Sequence, residues 1–247
     1  MARSYARRAR VERPRVRIDD SGDTRSLVVD ETFASLYRPG EIATHCVWDA
    51  IAAPILWLPP KRRRRILILG LGGGSVARLA RALAPDAEIV GVELDAEVVR
   101  LARRHLDLDD LDVKIEIADA LRWLEGMADS ARPRSRGRFD VILEDVFIGE
   151  GDRVHKPDWI PEPGHRLAFE RLAPGGVFVT NTLDETARVA AVMGAHFPAL
   201  VTIDTEDYDN HVLVGGDAAL SGASLRRRVA DSSILAESLE ILSFRTR

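Results

Sequence analysis

From residue 65 onward the chain repeats one alternation, a short aliphatic run followed by apolar positions at helical spacing. The runs "RILILG", "AEIVGVEL", "DVKIEIA" and "RFDVILED" are followed in turn by "SVARLARALA", "DAEVVRLARRHL", "DALRWLEGM" and "GHRLAFERLA", and "GVFVTNTL" supplies a fifth run. Aliphatic runs without polar alternation belong to strands buried on both faces, so the pattern predicts a parallel sheet covered by helices on each side. "ALVTIDTEDYDNHVLVGG" predicts two further strands around an acidic turn, as a hairpin. Upstream, "RSLVVDETFASLY" (25–37) alternates well enough for one or two short strands. Val47, Ile51, Ile55 and Leu58 then recur at helical spacing, which predicts a helix from Ile42 to Leu58. "ILAESLEIL" predicts an amphipathic helix near the C-terminus, "ADSARPRSRGR" (128–138) an exposed loop, and no internal repeat is present. The expected organisation is a basic arm over 1–24, a small β/helix element over 25–60, the main α/β domain over 61–217 and a helical extension over 218–247.

Composition narrows the class without naming it. With 247 residues, 46% of them hydrophobic, the chain can bury one sizeable core. A formal charge of −4 gives no global attraction to nucleic acid or to an acidic membrane. No apolar run approaches the ~20 residues of a membrane span. The Arg-rich start lacks the apolar segment of a secretory signal. The single cysteine, Cys46, excludes an intrachain disulfide framework and reads as a small buried residue in a reducing compartment. A soluble cytoplasmic protein is expected. The basic run Lys61–Arg65 has no aromatic residues interleaved, so it reads as a solvated loop and not as a nucleic-acid site.

The chemistry centres on "ILILGLGGGSVARLARAL" (66–83), a strand running through a glycine loop into a helix. Ligands of open α/β sheets bind beyond the carboxyl ends of the strands. There Gly70, Gly72, Gly73 and Gly74 let a ligand approach the backbone. Glu93, with Leu94 beside it, ends the second run, where a carboxylate accepts from both hydroxyls of a ribose. Asp119 and Ala120 end the third, within reach of an adenine. Three such signals on consecutive strands point to an adenosine-bearing cofactor. The dinucleotide pattern G-x-G-x-x-G is incomplete, because Ser75 stands at its last glycine. S-adenosylmethionine (SAM) is therefore favoured over NAD.

In order and spacing, "ILILGLGGGS", "VGVELDAEVVRLARRHL", "IADALRWL", "FDVILED" and "LAPGGVFVTN" resemble the spermidine synthase-like branch of the class I methyltransferases. The resemblance covers roughly residues 25–216. It implies an α/β, Rossmann-like class I methyltransferase fold: a seven-stranded, mostly parallel sheet with a C-terminal antiparallel hairpin and a small N-terminal β element. It also implies a frequent homodimer. By motif position Gly70, Gly72 and Gly74 line the cofactor, Glu93 holds the ribose, and Asp119 with Ala120 frames the adenine. Asp145 falls on the first acid of the family's D-S-S-D segment, whose carboxylates face the attacking amine. Two departures stand out. Gly73 replaces the acid that serves the aminopropyl ammonium of decarboxylated SAM, and Ile148 replaces the second acid of D-S-S-D. The family's polyamine-tunnel residues align roughly with Ala34 and "ATH" (43–45), so the polyamine site is not kept.

An amine acceptor is protonated at neutral pH and must lose a proton before it attacks, so a nearby carboxylate serves both to attract and to deprotonate it. Glu144 and Asp145 are the candidates, a pair expected to raise one another's pKa. Tyr208 and Asp209, with Asp207, sit in "EDYDNH" (206–211) where a cationic or hydrogen-bonding substrate would bind. "FIGEGDRVHKPDWIPEPG" (147–164) is long enough for a mobile lid, with Trp159 as a wall. His155, His165 and His211 have no metal-ligand spacing, and no metal is expected. The expected partner is a small-molecule or peptide nucleophile, with no nucleic acid and no membrane. The leading reading is a SAM-dependent methyltransferase; the alternatives are an aminopropyltransferase using decarboxylated SAM and a non-catalytic nucleotide-binding module.

Overall fold

A computed structural model describes residues 15–126 and 138–247. The first fourteen residues of the expected arm and nearly all of the 128–138 segment lie outside them.

The chain enters through an antiparallel sheet of β1 (Val16–Ser21), β2 (Thr24–Val29) and β3 (Thr32–Tyr37), in that order. Asp30 and Glu31 join β2 to β3 and both have positive φ, as the tight turns matching the twist of a hairpin require. The expected arm of 1–24 is thereby shortened, since residues 16–21 pair with β2 from Val16↔Val29 to Ser21↔Thr24. The helix expected over 42–58 is also shorter: α1 covers Val47–Ala52 and passes into a 3₁₀ turn over Ala53–Trp57. Pro54 explains the change, because it has no N–H to donate and its ring disfavours a continuing α-helix.

The main domain then follows the predicted alternation: β4 (Arg65–Leu69), α2 (Ser75–Leu83), β5 (Glu88–Glu93), α3 (Ala96–His105), β6 (Val113–Ile117), α4 (Ala120–Glu125), β7 (Phe139–Glu144), α5 (Gly164–Glu170) and β8 (Leu172–Thr182). After α6 (Thr186–Gly194), to which the sequence pattern assigns no element, β9 (Ala199–Thr205) and β10 (His211–Gly216) form the expected hairpin. The last segment differs from expectation. Its helix, α7, covers Gly222–Ala230, "ILAESLEIL" forms turns with a short 3₁₀ segment at Glu237–Glu240, and β11 (Leu242–Thr246) joins the sheet beside β9. Ser221 sets the start of α7 by accepting from the Ser224 N–H.

The sheet therefore has eight strands, not seven, in the order β11-β9-β10-β8-β7-β4-β5-β6. β4 lies between β5 and β7, both parallel to it. The chain steps outward from β4 to β6 and then returns to β7, so the β4/β7 gap is the switch point where such sheets bind ligands. Alternate side chains of the central strands feed two cores. Ile66, Ile68 and Leu143 pack with α1, α2, α3 and α7, while Leu67, Leu69 and Ile142 pack with α4, α5 and α6.

The basic run 61–65 is more than a solvated loop. Arg62 donates to the Pro174 carbonyl, Arg63 to those of Leu58 and Leu83, and Arg65 pairs with Glu88. Among the described residues no helix is long and apolar enough to cross a membrane.

Candidate active site

The carboxyl ends of β4, β5, β6 and β7 open into one cleft of about 1090 Å³, roofed by the β2–β3 sheet and α1 and closed by the β7–α5 loop and the β9–β10 turn. Its floor is the glycine loop. Gly70 has φ +82°, and a Cβ there would stand 2.6 Å from the Asp145 carbonyl oxygen, so only glycine lets the two strand ends meet.

Gly70, Gly72, Glu93, Leu94, Asp119, Ala120 and Asp145 all border this cleft. The partly buried Glu93 accepts the Gly72 N–H at 2.8 Å on one oxygen and the Asp95 N–H at 3.0 Å on the other. Burial pushes its carboxyl up, against the pull of those two N–H groups. With the Leu94 N–H also on the carboxylate, it keeps a lone pair for a further donor. Leu94 is 67% exposed at the cleft edge, an apolar surface with no protein cover. Asp119 caps α4 by accepting the Arg122 N–H at 2.9 Å, so it is both a helix cap and a cleft residue.

Gly73 and Gly74 are not among the residues lining the cleft. The Gly73 N–H donates to Ser35 Oγ at 2.6 Å, and a Cβ on Gly73 would meet Leu106 and Ser35 at 2.6 and 2.8 Å. Gly74 turns toward Leu108. The loop bends around Ser35 of β3, which takes the outer half of the glycine run away from the ligand space.

Glu144 and Asp145 are adjacent in sequence and separate in space. Glu144 is 1% exposed and faces away from the cleft. It holds Lys156 Nζ at 2.8 Å, His165 Nε2 at 3.3 Å and the Thr180 hydroxyl at 2.5 Å. Burial alone would raise its carboxyl, but the Lys156 ammonium and His165 outweigh it and hold it well below the ordinary range. A carboxylate so held is poorly suited to take up a proton, and of the two expected candidates Asp145 is the one that lines the cleft. The expected mutual raising acts in one direction only. Asp145 faces the cleft and is pushed up to about 6, first by burial and then by the charge of Glu144, while Lys156, Asn181 and Trp48 oppose the rise.

Tyr208, Asp209 and Asp207 line the cleft, as do Trp159 and Ile148. The Tyr208 hydroxyl donates to Cys46 Sγ at 3.1 Å; burial, with Cys46 beside it, raises the phenol. The β7–α5 loop is held at several points: Ile148 bridges His155, and buried Lys156 reaches both Glu144 and the Val146 carbonyl. Three contributors are absent from the sequence reading. Asn181 Nδ2 donates to Asp145 Oδ1 at 2.8 Å, and Asn210 Nδ2 donates to Asn181 Oδ1 at 3.0 Å. Trp48, edge-to-face with Phe33 at 5.0 Å, forms an aromatic rim. "TNT" at the end of the β8 run was the one available signal, a polar triplet closing an otherwise aliphatic strand.

No family model matches the chain. A polyamine aminopropyltransferase of Neisseria meningitidis serogroup A is 31% identical over 194 residues, covering 73% of this chain and 67% of that protein. The chain belongs to the polyamine aminopropyltransferase, spermidine synthase-like, family. A second member, from Chromobacterium violaceum, is 33% identical over 68% of this chain and 61% of its own length. Likeness extends beyond aminopropyl transfer: an eEF1A lysine and N-terminal methyltransferase homolog of Drosophila melanogaster is 27% identical over 62% of this chain. The chain spans 24% of that protein's length, and 67% and 61% of the lengths of the two bacterial relatives. The family fold recurs in a probable spermidine synthase from Corynebacterium glutamicum, at TM-score 0.69 and 24% identity over 93% of this chain and 86% of that one. Human methyltransferase-like protein 13 in complex with SAH matches at TM-score 0.62 and 24% identity, over 79% of this chain and 93% of that one. Both show the α/β Rossmann-like fold expected from the sequence.

Proposed function

We propose that this family member is a SAM-dependent methyltransferase whose acceptor is an amine, free or on a peptide. The observation that carries the reading is the sign of the cleft. Among the described residues lining it, eight are acidic and Arg15 is the one base. Such a field concentrates cations and repels anionic acceptors.

The residues present fit the cofactor. Glu93 offers two oxygens to a diol, and Leu94, Ala118 and Ala120 border a surface suited to a purine. Bound there, SAM would supply a methyl carbon made electrophilic by its sulfonium, with the S–CH3 electron pair left on sulfur as the neutral thioether product. The chain's own work is on the acceptor. The ammonium must give up a proton so that its nitrogen lone pair is free to form the new N–C bond, and Asp145 takes that proton. A carboxylate near 6 is poised between holding and releasing it at neutral pH. Asp209 and Tyr208 would hold the rest of the acceptor, and Trp48 and Ile148 would keep water from the reacting nitrogen. A cytoplasmic homodimer belongs to the same proposal, supported on location by the buried unpaired Cys46.

One observation favours the second reading, aminopropyl transfer from decarboxylated SAM. The N–H groups from Gly70 to Gly74 are all engaged within the protein: two on the Val92 carbonyl and the others on Glu93, Ser35 and the Leu71 carbonyl. None is spare for the α-carboxylate that only the undecarboxylated cofactor carries. Against it, Ile148 stands where the family's second acid would meet a polyamine, and it is exposed in the cleft. Calorimetry with both cofactor forms, paired with mass spectrometry of amines and lysine peptides incubated with each, decides between them. The first reading expects SAM binding and a gain of one methyl. Tighter binding of the decarboxylated form with an aminopropyl product hands the site to the second, and transfer to carboxylate acceptors alone would sink both.

A further inference from the structure

The hydrogen-bond chain from the β9–β10 turn to Asp145 is directional. Asn210 Nδ2 donates to Asn181 Oδ1, which commits the Asn181 carbonyl, and the other end of that amide then presents Nδ2 to Asp145 Oδ1 at 2.8 Å. An isolated asparagine could turn either end toward a carboxyl group, and its orientation is set by the network around it. Asn181 is 3% exposed near the end of β8, so water does not compete for it. Asn210 belongs to the same turn as Asp207, Tyr208 and Asp209, which line the acceptor side of the cleft.

We infer that Asn181, fixed by Asn210, is a positioning residue for Asp145: it holds Oδ1 and so sets how the carboxylate faces the cleft. The inference rests on the reading of Asp145 as the proton acceptor. Its physical consequence is that a donor on Oδ1 stabilises the charged carboxylate, so losing the donor makes Asp145 easier to protonate. The other groups that act on its charge or share its cleft come from four directions. Glu144 lies on its own strand, Lys156 on the β7–α5 loop, the Trp48 side chain on α1, and Asp207 and Asp209 on the β9–β10 turn across the cleft. Only Asn181 links Asp145 to that turn by direct hydrogen bonds among the described residues.

The test uses the full chain with Asn181→Leu and, because a buried strand substitution can impair folding, also Asn210→Ala at the turn. The first readout needs no activity: carboxyl-carbon NMR of protein labelled at aspartate, with the Asp145 signal assigned by its loss in Asp145→Asn. Asn181→Leu moves the Asp145 titration upward by about half a unit to one unit, and Asn210→Ala moves it the same way by less. The second readout is the pH profile of kcat/KM. Its acid limb follows the NMR titration upward, and kcat falls about tenfold with cofactor affinity unchanged. A titration that stays at the wild-type position in both variants overturns the inference. If the titration moves and the acid limb does not follow, Asp145 is not the proton acceptor, and the positioning role falls with it.

Discussion

Lys156 Nζ lies 2.8 Å from Glu144 Oε1, and both side chains are sealed from solvent. The pair ties the β7–α5 loop to the centre of the sheet directly behind Asp145. Removing one partner leaves the other charged and buried. Lys156→Met should therefore cost about 3–5 kcal/mol, whereas Lys156→Met with Glu144→Gln recovers much of the loss. Urea unfolding of the three proteins checks this, and equal stability of single and double variants would contradict it.

The same pair gives acid sensitivity a definite sign. Glu144 is more acidic folded than unfolded, so its contribution to stability is complete above the ordinary glutamate value of about 4.3 and is lost as pH falls toward its folded value. Asp145 acts in the opposite sense. Raised to about 6, it favours folding below the ordinary aspartate value and loses that contribution as pH rises through about 6. Asp145→Asn is expected to raise the melting temperature at pH 7.5 and to leave it almost unchanged at pH 4. A uniform shift at both values would contradict the assignment.

Asp145→Asn should also reduce kcat by about 10²–10⁴-fold while cofactor affinity stays within a factor of two or three. Stopped assays at saturating cofactor, with calorimetry alongside, measure the two effects separately. Loss of cofactor binding in step with rate would mean that Asp145 belongs to the cofactor site.

Glu93→Ala and Asp119→Ala should differ in kind. Glu93 ties the glycine loop at Gly72 to the start of α3 at Asp95, and under the proposed function its removal is expected to weaken SAM binding at least tenfold. Asp119 also caps α4, and its replacement adds a stability cost of about 1 kcal/mol that appears in thermal unfolding without ligand. Equal affinity losses with no change in melting would remove the distinction.

Gly73→Asp tests whether the family's acid can simply be restored. A Cβ at Gly73 meets Leu106 and Ser35 at 2.6 and 2.8 Å, closer than side chains approach without displacement. The variant is expected to lose stability and to gain no preference for decarboxylated SAM. Adding Ser35→Gly should relieve part of the destabilisation. A stable Gly73→Asp protein with a new preference would show that the loop can turn this residue into the cleft.

The central strands were legible because a strand buried on both faces needs an unbroken apolar centre, as β4, β5, β7 and β8 have in ILIL, IVGV, VIL and VFV. The glycine loop, Glu93 and Asp119 were legible for a related reason: each closes such a run, where the chain must turn and ligands bind. β1 and β11 were not. β1 is largely polar because one face meets solvent, and β11 forms only because β9 offers it an edge. α6 was passed over although it buries Val189 and Met193 against the sheet.

What the residue order determined is the alternation of strands and helices from β4 to β8, the end of the sheet where the cleft opens and the acids that line it. Those follow from local periodicity and from strands ending in chemistry. Which of Glu144 and Asp145 faces the cleft was decided only by tertiary structure. Consecutive residues at a strand end point to opposite sides, and the side that opens to the cleft depends on what covers the other. Here buried Lys156 and His165 claim Glu144, and β3 with its Ser35 turns Gly73 out of the site. These partners are 12, 21 and 38 residues away along the chain, beyond the reach of any local pattern.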